Sequence, residues 1–242
     1  MIKKISKRAI ILAGGKGSRL RPYTVVLPKP LMPIGDYPIL ELVVRQLIKN
    51  NFNHITMCVN HQADLIKTFF GDGNRWGIEI DYSHEFEPLG TMGPLKQISD
   101  LPNNFLVMNG DILTNLDFES FHNDHVRDNE IYTISSYKRS QKVDYGVLGC
   151  SKDNYLESFE EKPTNDFKVS MGIYMLNKKV LDFIPSGFYG FDSLMYKLIK
   201  SKNKVKVKEF NGYWLDIGRP DDYLKAIEDF ESMKNIFLWK KS

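Results

Sequence analysis

The sequence predicts an α/β fold: a doubly wound, mixed but mostly parallel sheet with a β-rich second part. Three observations predict it. Apolar runs of strand length alternate with segments of helical period through the first half, the first of these runs is apolar on successive residues, and the second half becomes a string of β-rich segments. Alternating strand and helix builds βαβ units, hence a parallel sheet with helices on both faces. A strand without polar alternation is central and covered on both sides.

Taken in order, strands are expected at Arg8 to Ala13, His54 to Asn60, Ile78 to Tyr82 and Phe105 to Asn109. Between them Ile39, Leu40, Val43, Val44, Leu47 and Ile48 recur at the spacing of a helix stripe, as do Leu65, Ile66, Phe69 and Phe70. From Glu130 to Asn177 the runs EIYTISSY, DYGVLGC, NYLESFEEKP and KVSMGIYML carry little helical period, which predicts a mixed sheet extension or a small β-rich lobe. Helices follow near Phe191 to Ser201 and Asp221 to Met233. With no Pro, Gly or Ser-rich linker, no low-complexity tract and no repeat, residues 1–242 are expected to share one core. The apolar tail Ile236-Phe237-Leu238-Trp239 is expected to pack on the body or on a neighbouring subunit of a homo-oligomer.

Composition excludes several classes. The chain has 242 residues, 42% of them hydrophobic, enough for one sizeable core. Its 33 basic and 30 acidic residues are mixed along the chain, so no clustered basic face for nucleic acid is indicated. Cys58 and Cys150 make neither a disulfide framework nor a zinc site, which agrees with a reducing cytoplasm. The apolar run behind the basic N-terminus is too short for a signal peptide or a membrane span. The five histidines pair with no Cys or Ser nucleophile, and His122 and His125 are expected to be solvated on a surface helix.

The stretch RAIILAGGKGSRLRP carries the first chemical signal. Glycine adopts positive φ and, lacking Cβ, lets a ligand approach the backbone, so Gly14, Gly15 and Gly17 predict a loop whose N–H groups face an anion at the carboxyl end of the first strand. Two familiar phosphate loops do not match. Leu20 stands where the dinucleotide motif needs its third glycine, and Arg19 where the P-loop needs its second. What remains is a glycine loop with Lys16, Arg19 and Arg21, followed by Lys29 between Pro28 and Pro30, a stiff segment suited to a lysine aimed at a fixed phosphate.

LAGGKGSRLRPYTVVLPKPLMPIG, Leu12 to Gly35, resembles the signature of the sugar-1-phosphate nucleotidyltransferases. Pro88-Leu89-Gly90-Thr91, Asn109-Gly110-Asp111, Tyr145-Gly146-Val147, Glu161-Lys162-Pro163, Met171-Gly172-Ile173-Tyr174 and Trp214-Leu215-Asp216-Ile217-Gly218 match further motifs in the family's order. The resemblance implies a Rossmann-like nucleotidyltransferase fold, with a nucleotide-binding part over about 1–128 and a sugar-phosphate-binding part over about 129–234.

It also implies roles. Arg19 and Lys29 would act on the triphosphate and on charge developing in the transition state. Leu12, Ala13, Gly14, Gly15, Gly17, Gly90, Thr91 and Asn109 would border the nucleotide. Gly146, Glu161, Lys162 and Gly172 would bind the sugar phosphate. Asp111 and Asp216 would hold Mg²⁺, and Asp111 independently falls at the carboxyl end of a central strand, on the edge that carries the glycine loop. The substrates implied are a nucleoside triphosphate and a sugar 1-phosphate. The run EPLGTMGPL, Glu87 to Leu95, looks more like guanylyltransferases acting on mannose or heptose 1-phosphate than like the glutamine-containing segment of thymidylyltransferases, so GTP is expected. The alternatives are a cytidylyltransferase acting on a sugar phosphate or another phosphate monoester, and a catalytically silent relative that binds nucleotide-sugars.

Overall fold

The computed structural model describes residues 7–60 and 62–238. In chain order the strands and helices are β1 (Lys7–Leu12), β2 (Pro33–Ile34), β3 (Tyr37–Pro38), α1 (Ile39–Lys49), β4 (Phe52–Val59), α2 (Ala63–Phe70) and β5 (Glu79–His84). Next come β6 (Asn104–Asn109), β7 (Ile112–Thr114), α3 (Phe118–Arg127), β8 (Tyr132–Lys142), β9 (Gly146–Cys150), β10 (Leu156–Glu161) and β11 (Thr164–Asn177). The chain closes with α4 (Phe191–Lys200), β12 (Lys206–Phe210), β13 (Trp214–Asp216) and α5 (Pro220–Phe237).

Seven strands form one sheet in the order β12-β8-β11-β6-β1-β4-β5. β1 pairs in parallel with β4 and β6, β4 with β5, and β12 with β8, whereas β11 runs antiparallel to both β6 and β8. The expected mixed, mostly parallel sheet is therefore present. The continuous apolar run of β1 has its cause in the layers around it. Ala9 and Ile11 face a core shared with α1, α2 and α3, while Ile10 faces a core shared with α4. A third cluster joins α5 to Leu20, Ile34, Leu215 and Ile217.

The β-rich half is mostly sheet extension: β8 and β11 enter the main sheet, and β9 and β10 form a separate two-stranded ribbon with β10 exposed along its length. Phe237 of the tail is buried in the third cluster, so this part of the tail packs on the body; Trp239 lies outside the described residues. The expectation of solvated histidines fails at His125, which is buried against the sheet with Nδ1 2.8 Å from Thr133 Oγ1. His61 lies outside the described residues. Cys58 is buried and Cys150 exposed, and both are free. Among the described residues no helix is long and apolar enough to cross a membrane.

Candidate active site

Parallel strands deliver their carboxyl ends to one edge of the sheet, and the site is built from the residues just beyond them. Gly14 follows β1, Asn60 follows β4, Glu85 follows β5 and Asp111 follows β6; all four line one cavity of about 540 Å³. The glycine loop closes one side. Gly17 sits at φ +61°, where its missing Cβ leaves room for the Cβ of Lys29 and Cγ2 of Thr24, and the Thr24 hydroxyl donates to the Gly17 carbonyl at 2.8 Å. Removing Cβ thus packs the loop against the segment that carries Lys29.

Of the residues expected to bind nucleotide or act on it, Leu12, Ala13, Gly14, Gly15, Gly17, Arg19, Lys29, Gly90, Thr91, Asn109 and Asp111 all line this cavity. Thr91 also has a local task, because its hydroxyl accepts the backbone N–H of Phe191 at the start of α4.

Asp216 comes from far along the chain, and backbone pairing brings it in. β13 runs antiparallel to β7, which sets Asp216 opposite Ile112, and the Ile217 N–H donates to the Asp111 carbonyl at 3.1 Å. Burial raises the Asp216 carboxyl above its ordinary range, and the neighbouring Asp111 charge raises it further against the opposing pull of Lys29 and Arg19. Lys29 Nζ pairs with Asp111 Oδ2, while Asp111 Oδ1 is buried without a hydrogen-bond partner. An orphaned carboxylate oxygen beside a second carboxylate is the donor set that a hard divalent cation takes in phosphoryl-transfer sites.

A second cavity of about 460 Å³ adjoins the first, and Asp216 and Gly172 line it. Arg19, Asn109 and Gly218 line both. Gly146, Glu161 and Lys162 line neither: Gly146 and Glu161 face each other across the exposed β9–β10 ribbon, and Lys162 follows it at φ +49°.

Sequence reasoning missed Glu85, Arg139 and Arg219. Glu85 is buried, its Oε2 accepts the Leu89 N–H at 3.1 Å, and burial raises its carboxyl above the ordinary range. Its Oε1 lies 3.0 Å from where a Cβ on Gly14 would stand, so it faces the glycine loop. Its position one residue past β5 was the available signal. Arg139 of β8 and Arg219 before α5 line the second cavity.

A nucleotidyl transferase family model matches residues 8–233. UTP–glucose-1-phosphate uridylyltransferase of Synechocystis sp. is 33% identical, covering 95% of this chain and 65% of its own length. The mannose-1-phosphate guanylyltransferase catalytic subunit beta of Xenopus tropicalis is 34% identical, covering 91% and 63%. The chain thus spans less than two thirds of the length of these relatives. The crystal structure of HddC from Yersinia pseudotuberculosis superposes with a TM-score of 0.73 at 29% identity, covering 93% of this chain and 99% of that one, and its complex with GMP-PN with a TM-score of 0.71 at 30%. Together with the glycine loop and the paired aspartates at the strand ends, these matches place the chain in the nucleotidyl transferase family.

Proposed function

We propose that the chain joins GTP and a sugar 1-phosphate, giving a GDP-sugar and pyrophosphate. The observation that carries this reading is the group at the wall between the two cavities: Lys29 paired with Asp111, the orphaned Asp111 Oδ1, and Asp216 beside them. In the reaction an oxygen of the acceptor phosphate attacks the α-phosphorus, the bond from that phosphorus to the bridging oxygen of the β-phosphate breaks, and pyrophosphate leaves with the bonding pair. A phosphate monoester is mostly dianionic at neutral pH, its second pKa being about 6, so attack needs no general base.

The site's residues therefore position substrates and balance charge. Arg19 would bind the outer phosphates, and Lys29 would move from Asp111 towards charge developing at the α-phosphate. Asp111 and Asp216 would hold Mg²⁺, which supplies charge neutralisation at that phosphate when bound. The glycine loop would offer backbone N–H groups, with Gly90 at φ +74° bordering the nucleoside.

Glu85 supports the choice of base. A carboxylate accepts two hydrogen bonds and donates none. Of the common bases only guanine presents two adjacent donors, N1–H and the 2-amino group, on its Watson–Crick edge. Cytosine would turn the N3 lone pair on the carboxylate, and uracil a carbonyl, so both lose a bond and gain a repulsion. The related HddC was solved with GMP-PN.

The test is pyrophosphate release for GTP, CTP, UTP and dTTP, each crossed with a panel of sugar 1-phosphates and other phosphate monoesters. GTP with a sugar 1-phosphate is expected to give the highest kcat/KM. Release from no pair would leave the silent nucleotide-sugar binder, and a preference for CTP would overturn the role given to Glu85.

A further inference from the structure

A nucleobase has polar edges and two flat apolar faces, so a site that reads an edge still has a face to cover. Among the described residues that line the first cavity, Phe188 is the one aromatic. It is 72% exposed, so a large apolar ring stands uncovered on that wall. Exposure by itself does not set it apart, because Phe86, Phe159 and Phe167 are exposed as well. None of those three lines either cavity.

The backbone beneath the Phe188 ring is held on the wall by its neighbours. The Tyr189 N–H donates to the Leu89 carbonyl at 2.9 Å, and the Tyr189 carbonyl accepts the N–H groups of Met92 at 3.0 Å and Gly93 at 3.2 Å. The bond from the Phe191 N–H to the Thr91 hydroxyl, at 2.7 Å, ties the next residues. Two glycines permit this close crossing. A Cβ on Gly90 would stand 2.7 Å from the Tyr189 carbonyl oxygen, and one on Gly93 would overlap the carbonyl oxygen of Gly187. The same Cβ position on Gly90 lies 3.4 Å from Phe188 Cε2, so the ring flanks Gly90 itself. Leu89, the residue before Gly90, is bonded through its N–H to Glu85. Backbone contacts thus set the ring relative to the carboxylate proposed to read the base, while the ring itself stays free to meet a ligand.

We infer that Phe188 is a nucleoside-binding residue whose ring covers the open face of the base. This rests on the proposed function for the placing of the nucleoside beside Gly90 and Glu85. The two residues divide the work. Glu85 distinguishes bases by their edges, whereas a phenyl ring has no hydrogen-bonding group and serves any base, since every base has a π-face.

The test measures KM for GTP and for the sugar 1-phosphate with the lowest KM in the panel above and, independently of turnover, calorimetric titration with GTP in the absence of acceptor. Phe188→Ala is expected to weaken GTP binding and raise the GTP KM about tenfold, with the acceptor KM changing less than about threefold. The GTP:UTP ratio of kcat/KM should stay within about threefold of the parent's, because the lost contact does not read the edge. Phe188→Trp should keep the affinity, and GTP should quench the emission that the substitution adds, since guanine stacked on an indole quenches it; the parent supplies the baseline. Tyr196→Ala, which removes another exposed ring on α4 outside both cavities, should match the parent. Circular dichroism melts within about 2–3 °C of the parent would show the variants folded. An unchanged GTP affinity in Phe188→Ala, a rise confined to the acceptor KM, or emission from Phe188→Trp that GTP leaves untouched overturns the inference while the proposed function stands. If the parent releases pyrophosphate from no pair, the proposed function fails, and the GTP titrations alone decide Phe188.

Discussion

Lys29 and Asp111, 82 residues apart, are ion-paired through Oδ2, while Oδ1 of the same carboxylate is buried without a partner. The two oxygens of one side chain thus stand in different states. One is neutralised by Lys29, and the other is left without a partner on a carboxylate close enough to Asp216 to raise that group's pKa.

If Asp111 and Asp216 hold the metal, Asp111→Asn or Asp216→Asn should lower kcat by about 10²-fold or more. The fold should survive, since the change is nearly isosteric. Lys29→Met should also lower kcat, yet it should tighten Mg²⁺ binding to the resting protein, because Nζ no longer competes for Oδ2. Titration calorimetry with Mg²⁺ separates the two effects. Normal turnover in both aspartate variants would remove the metal assignment.

Glu85→Gln exchanges an acceptor for a donor at the proposed base edge. A good bidentate contact discriminates by about 1–3 kcal/mol, so the GTP:UTP ratio of kcat/KM should fall about tenfold or more. A ratio that stays put would mean that Glu85 faces the loop without reading the base.

Gly172→Ala should act on both cavities through one atom. Gly172 sits at φ +71°, and a Cβ there would stand 2.7 Å from Asn109 Nδ2 and 2.8 Å from Ile112 Cδ1. The backbone strain costs about 1–3 kcal/mol, and Asn109, which lines both cavities, must swing away. Urea denaturation should show the loss, and both Michaelis constants should rise. Gly15→Ala is the contrast for stability, since nothing lies within 4 Å of its Cβ position.

What was legible in the sequence follows physical range. The buried run of β1 and the glycine loop beyond it are written in consecutive residues: the run is the buried strand expected, and the loop lines the cavity at its carboxyl end. Glu85 was hidden by a boundary: reading the fifth strand as ending at Tyr82, two residues short of His84, put the carboxylate in a loop instead of at a strand's carboxyl end. Arg139 and Arg219 carry no local pattern, because the cavity that gathers them forms only when β8 crosses to the main sheet and α5 starts beside β13. The resemblance pointed to Glu161, which ends the two-stranded ribbon, and Lys162, which follows it; no pattern in the sequence sets where that ribbon stands relative to the cavities. His125 was misread for the same reason as the arginines were missed: the strand that covers it is eight residues away across a turn, and polar neighbours on its own helix gave no sign of it.

His125 supplies a prediction about stability. Its side chain is 1% exposed, Nδ1 meets the Thr133 hydroxyl, and Nε2 is buried without a partner. Burial pushes its pKa down to about 4, with His122 adding to the shift and Asp128 opposing it. The sign follows from the unfolded chain, where a histidine titrates near 6.5. Between about 6.5 and 4 the unfolded state takes up a proton that the native state refuses, so the contribution is full above pH 6.5 and is lost as pH falls towards 4. The loss amounts to at most about 3 kcal/mol. His125→Gln keeps a group able to bond Thr133 and removes the titration. Its urea midpoint should therefore fall less than the parent's between pH 7 and pH 4.5, whatever the two proteins' difference at pH 7. Parallel pH profiles would show that His125 is protonated inside the fold at no cost, and that its burial against Thr133 leaves the ring open to water.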